Sequence, residues 1–126
     1  MSRFRIPAPG ELRNKVHFQS RTEGQDSAGG IIDTWATQFS AAARIDILSG
    51  RELLAAQVVN AAITAEIWVR WRPELRKPAE AARYRILTEI DGRIFSVLAS
   101  FDPENERHRW LVCQCSEGLI RQEAIP

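Results

Sequence analysis

A mainly β fold is expected for this chain: a small antiparallel β-barrel of six to seven strands with one short helix and a long flexible loop. Short runs alternate apolar and polar residues with period two, turn-forming residues separate the runs, and a single segment switches to helical spacing. No β-α-β alternation occurs, so an antiparallel architecture is the consistent one. Closure into a barrel removes edges that a small open sheet would have to protect. The 126 residues fit one domain spanning 1–126. An apolar share of 44% and a charged share of 26% suit a chain that builds its own core.

Residues 1–10 hold Pro7, Pro9 and Gly10 and read as an extended N-terminal arm, because proline removes the amide that a helix or central strand needs. From Asn14 to Arg21, Val16, Phe18 and Ser20 alternate with His17, Gln19 and Arg21, the pattern of a half-buried strand. Thr22 to Gly30 is polar, carries three glycines and has no periodicity, so a mobile loop is expected. Strand character resumes over Ile31–Gln38 and again over Ala41–Leu48.

The period then changes. Ser49-Gly50-Arg51-Glu52 fits a capping box, in which the serine hydroxyl and the glutamate satisfy each other's free amides. A helix of about three turns follows, ending near Asn60. Leu54 and Val58 join Leu53, Ala56 and Val59, so the helix is apolar over most of its circumference. Such a helix is covered on more than one side, and in so small a domain the second cover is another subunit.

Ile63 to Arg72 is the strongest strand: Ile63, Ala65, Ile67, Val69 and Trp71 on one face, Thr64, Glu66, Trp68, Arg70 and Arg72 on the other. On this reading Trp68 is half covered. Pro73 ends the strand, and residues 73–82 connect with room for one helical turn. Tyr84–Ile90 and Arg93–Ser100 flank Asp91-Gly92, the signature of a type I′ hairpin turn. Trp110–Cys115 closes the sheet, and residues 119–126 form a tail.

Charge and chemistry exclude several classes. Seventeen Lys and Arg balance 16 Asp and Glu, leaving +1. With a pI of about 7.9, the chain is not a binder that holds nucleic acid by bulk charge. No apolar run reaches the ~20 residues of a membrane span, and the N-terminus lacks the apolar core of a secretory signal. Cys113 and Cys115, two apart on a strand, have poor disulfide geometry and read as reduced, buried or half-buried thiols. Two histidines, His17 and His108, leave a metal site without ligands. No phosphate-cradling glycine loop or nucleophile elbow is present. No catalytic, cofactor-binding or metal-binding residues are therefore expected, and the chain is read as a non-enzyme. A site assembled from acidic residues and His17 is the weakest reading.

Residues 70–85 carry six cations against two carboxylates beside Trp68 and Trp71. The segment reads as a solvated face, as a subunit contact, or as a nucleic-acid-binding module over residues 68–85 that stacks bases on its tryptophans. Trp35 reads either as a plug at one barrel end or as an anchor for a partner.

The order of short pieces is also informative. Gly10-Glu11-Leu12-Arg13 leads into a strand with Val16 and Phe18, and a polar loop ends in Gly29-Gly30 before Trp35. Ala43-Arg44-Ile45, Ser49-Gly50-Arg51-Glu52, the strand Thr64 to Arg72, Tyr84-Arg85-Ile86 and Asp91-Gly92-Arg93-Ile94-Phe95 follow. This succession, over residues 10–118, resembles the head–tail joining (head–tail adaptor, head-closure or stopper) proteins of tailed phages, prophages and gene-transfer agents. The bulk of Trp68 and Trp71 departs from the family pattern.

The resemblance implies a virion structural protein at the head–tail interface, present in host cytoplasm during assembly. It implies a ring of six or twelve copies that closes the DNA channel after packaging and docks the tail. Implied partners are other copies, portal or adaptor proteins and tail terminator proteins; DNA passes without sequence-specific binding, and no membrane is involved. On this reading Trp35, Arg51, Glu52, Leu54, Val58, Trp68, Arg70 and Arg72 contribute to the subunit or connector interface. Glu23, Gly24, Gln25, Asp26, Gly29 and Gly30 form the channel or assembly loop.

Overall fold

Every strand pairs antiparallel with its neighbours, and the sheet closes on itself. The computed structural model describes residues 6–8, 10–25, 31–104 and 107–117. The strands are β1 (Asn14–Gln25), β2 (Ile31–Ile47), β3 (Ala65–Arg70), β4 (Tyr84–Thr88), β5 (Ile94–Phe101) and β6 (Trp110–Glu117). Their order around the barrel is β1-β2-β3-β6-β5-β4. Helix α1 (Gly50–Val59) links β2 to β3. A 3₁₀ turn (Pro73–Leu75) and the short helix α2 (Pro78–Ala81) link β3 to β4.

The strand count is six because the two runs expected at 31–38 and 41–48 are one strand. No turn former interrupts them. Phe18 pairs Phe39 and Gln19 pairs Thr37, so Gln38 is an unmatched bulge that absorbs the change of phase. The loop expected from Thr22 is shorter at its start than read: Thr22–Gln25 continue β1 and pair with Ile31–Thr34. Asp26, Gly29 and Gly30 lie outside the described residues. β1 meets β4 only from Val16 to Ser20, and β2 meets β3 only from Ala43 to Ile47. The far ends of β1 and β2 therefore leave the barrel as a two-stranded ribbon.

Inward side chains such as Val16, Phe18, Ile67, Ile86 and Phe95 fill the barrel. Leu75 and Ala81 close one end, and the Ser100 hydroxyl donates to the Leu75 carbonyl at 2.7 Å to hold that floor in place. Cys113 and Cys115 are free and fully buried. Burial raises the Cys113 thiol from its ordinary 9.0 to about 12 and lifts Cys115 well above 9.0.

Strand β3 departs from simple alternation, because both of its faces are covered. Ile67 and Val69 point into the barrel, whereas Trp68 packs outside it with Trp110, Val112, Phe101 and Leu12. Trp68 is 1% exposed rather than half covered. The N-terminal segment supplies part of that cover. A turn leads into it: the Glu11 amide donates to the Ala8 carbonyl at 3.0 Å, and the Ala8 amide to the Glu11 carboxylate at 2.7 Å, while residues 1–5 of the expected arm lie outside the described residues.

Helix α1 packs through Leu53 and Ala56 against Leu48 and Ile63, which flank it in the chain. Leu98, at the bulge of β5, packs against them. Ser49 is the helix N-cap in extended conformation, yet its hydroxyl makes no capping bond. Gly50 follows at φ +57°, where the first residue of a capping box needs a right-handed turn. The β4–β5 connection differs likewise from the expected type I′ turn. Only Gly92 has positive φ (+68°), and residues 89–92 form a wider loop closed by the Thr88 amide on the Arg93 carbonyl at 2.9 Å.

Candidate assembly surfaces

The barrel has two dissimilar ends. One is built from the end of β2, helix α1 and the 88–93 turn. The other is built from the 71–83 connection, the 102–109 loop and the base of the ribbon. The first end carries the exposed large apolar side chains Ile47 (52% exposed), Leu54 (68%), Val58 (87%) and Ile90 (87%). Its segments 46–52 and 88–93 hold four carboxylates against two cations. At the second end, residues 70–85 hold six cations against two carboxylates. A chain with net charge +1 is thus polarised along its length.

On α1, Leu54 and Val58 are four apart and share a face, and with Arg51 and Ala55 they form an outward stripe opposite buried Ala56. Glu52 is exposed at its edge. This is the part of the expected interface that the fold brings together. An excess of apolar residues around one short helix was its sequence signal.

The tryptophan–arginine group is arranged differently. Trp68 is buried beneath the Arg44 guanidinium, 4.7 Å from the ring centroid, so its indole is not a surface contact. Arg70 lies over Trp110 at 4.6 Å and Arg72 over Phe39 at 4.0 Å. These arginines spend their faces on aromatics of the same chain. Arg72 also pairs with Glu74 at 3.3 Å. A backbone hydrogen bond, and then Arg72, hold the Glu74 carboxyl below its ordinary value. The base-stacking platform required by a nucleic-acid-binding module loses Trp68 to the interior, and Trp71 stacks on His108 at 4.5 Å.

Trp35 does not plug the barrel. It sits half-buried at the base of the ribbon, with the Arg85 guanidinium 4.3 Å from its ring. Arg85 donates to the Gln19 side-chain carbonyl at 2.7 Å, and the Gln19 amide donates to Thr37 Oγ1 at 3.2 Å. Ribbon and β4 are thereby tied together where the ribbon leaves the barrel. Glu23, Gly24 and Gln25 lie on the ribbon's β1 strand.

His17 bridges Ser40 Oγ at 2.7 Å and Glu89 Oε1 at 3.1 Å, a structural arrangement that joins β1, β2 and the 88–93 turn. Among the described residues no cluster of three or more His, Cys, Asp or Glu gathers for a metal ion.

Two surface features have no clear sequence signal. The alternation over Tyr84–Ile90 makes Ile90 a strand residue, and the wider turn puts it outside. A groove of about 330 Å³ opens at the basic end, with Trp71, Pro78, Phe101 and Leu111 in its walls and Arg76 and Lys77 beside them. It is composed of segments distant in sequence, which no local pattern reveals.

The family model described as phage head completion protein matches residues 7–118. The head completion protein gp7 of Enterobacteria phage HK97 is 33% identical over 91 residues, covering 71% of this chain and 79% of that protein. Among solved structures, the solution structure of protein SF1141 from Shigella flexneri 2a superimposes with a TM-score of 0.65 at 25% identity, over 87% of this chain and 96% of that one. A chain of the virion of a native gene transfer agent particle aligns with a TM-score of 0.49 and 20% identity, over 86% of this chain and 98% of its own.

Proposed function

The chain belongs to the phage head completion protein family, and on that footing we propose that it forms a closed ring at the head–tail connector. It is a structural protein of the virion. The ring, of six or twelve copies, seals the DNA channel after packaging and presents the surface on which the tail docks. Portal or adaptor proteins flank it on the head side and tail proteins on the other. DNA passes through without sequence-specific contacts.

The observation that carries this reading is the outward stripe of α1. Leu54 and Val58 stand in solvent, with Ile47 and Ile90 exposed at the same end of the barrel, the condition of a surface completed by association. The ribbon supports the same reading. A two-stranded hairpin is marginal alone in water, and this one leaves the barrel with open backbone edges suited to a neighbouring subunit or to the channel. Balanced net charge suits a passage through which phosphates slide, since a strongly basic wall would hold them.

Deletion of the gene in the phage that carries it tests the proposal. DNA-filled heads without tails are expected by electron microscopy, with native mass spectrometry showing rings of the protein alone or with its portal-side partner. Tailed, infectious particles in the deletion strain, together with no ring under either condition, would overturn it.

A further inference from the structure

Resting on the ring reading above, we propose that neighbouring copies join through unlike surfaces: the α1 stripe of one seats in the Trp71–His108 groove of the next. The stripe offers Leu54 and Val58 beside Arg51, with exposed Glu52 at its edge, which has no ion-pair partner among the described residues, and an excess of carboxylates at its end of the molecule. The groove mixes the apolar groups of Trp71, Pro78 and Phe101 with Ser100, Asp102 and His108 at the opposite, basic end, where Arg76 and Lys77 likewise have no ion-pair partner among the described residues. A helix that lays an exposed apolar face into a groove with complementary charge at its rim is a recurrent mode of recognition.

The groove is held in shape before anything enters it. Asp102 accepts the backbone amides of Glu104 and His108, each at 2.9 Å, and Glu104 pairs with Arg109. His108 is thereby fixed in left-handed conformation (φ +61°) and stacked on Trp71. A wall of this kind loses little freedom on binding.

Geometry selects the second copy as occupant. The stripe and the groove lie at opposite ends of one barrel, so a contact between them leaves each subunit with one free stripe and one free groove. Such a head-to-tail contact repeats, and it closes into a ring when the rotation permits. Two stripes meeting across a two-fold axis would stop at a dimer and bring like-charged ends together.

Disulfide trapping tests this contact. Val58→Cys and Pro78→Cys are made separately and together; the native Cys113 and Cys115 are fully buried and stay silent. On oxidation at millimolar protein, the mixed single variants are expected to form the 58–78 bond, and the double variant a ladder of oligomers on a non-reducing gel. Val58→Asp and Arg76→Glu should each weaken association by about tenfold or more. Predominant 58–58 dimers, oligomers without the 58–78 bond, or monomers alone would overturn the contact. Rings seen in particles carrying the double variant, but without that bond, would refute this contact and leave the functional reading standing.

Discussion

Strand β3 and the far ribbon of β1 and β2 belong to one sheet and show opposite degrees of cover. β3 has a partner strand on each edge and side chains packed on each face; Ile67, Trp68 and Val69 are all within 1% of complete burial. In the ribbon, Arg21–Gln25 and Ile31–Trp35 pair with each other and, among the described residues, with no third strand. Its link to the barrel is the short Arg85–Gln19–Thr37 chain with Trp35 on top. Stability therefore sits in the covered strand, whereas the ribbon adds shape and open edges. Substitutions in the two regions should separate folding from assembly.

The largest effect is expected inside β3. Trp68→Ala removes an indole packed by Trp110, Val112 and the Arg44 guanidinium, at a cost of about 3–5 kcal/mol. Denaturant unfolding measures it. A loss below about 1 kcal/mol would mean that the outer face of β3 is not a true core. Trimming the ribbon is the counterpart: replacing residues 23–33 by Asn-Gly keeps the Thr22–Thr34 pair and supplies a tight hairpin turn. Stability should change by about 1 kcal/mol or less, while head–tail joining by the variant, scored by complementation, is lost. Collapse of the fold on trimming would erase the contrast.

This contrast explains what was legible beforehand. Alternation over residues 63–72 correctly placed Ile67 and Val69 inward, because period two reports the inner face of any strand. It could not report that Leu12, Phe101 and Trp110 arrive from distant segments to cover Trp68. The β1 half of the ribbon, Thr22–Gln25, has the look of a loop because strands outside the barrel have no core face to bury and need no apolar periodicity, whereas the β2 half from Ile31 keeps visible strand character. The bulge at Gln38 hid the continuity of β2 in a similar way. In α1, the apolar excess at Leu54 and Val58 was visible, whereas the Gly50 conformation that breaks the capping box was not. The groove, lined from Trp71, Arg76 to Pro78, Ser100 to Asp102, His108 and Leu111, has no local signal at all.

A third substitution sharpens the comparison on the barrel's own surface. Val58→Asp lies on the exposed stripe, so the monomer's unfolding free energy should shift by about 0.5 kcal/mol or less. Association, followed by sedimentation, should fall sharply. A large loss of monomer stability would place Val58 in the fold rather than at an interface.

The smallest effect belongs to the seam between β5 and β6. Arg93 donates from two nitrogens to the two oxygens of Glu117, both at 2.7 Å, bridging the 88–93 turn to the end of β6. This pairing holds the Glu117 carboxyl below its ordinary 4.5 and raises Arg93. A carboxylate whose folded value is depressed contributes stability above its unfolded value, and that contribution fades as pH falls through the folded one. Both groups are about one-third exposed, so solvent screening leaves well under ~1 kcal/mol. Glu117→Gln should be slightly less stable than the parent at about pH 7. The gap should close below pH 4.5 and shrink with added salt, because exposed pairs are screened. A gap that stays constant through the acid range would show that Glu117 acts by packing, and that the seam, like β3, is held by contact rather than charge.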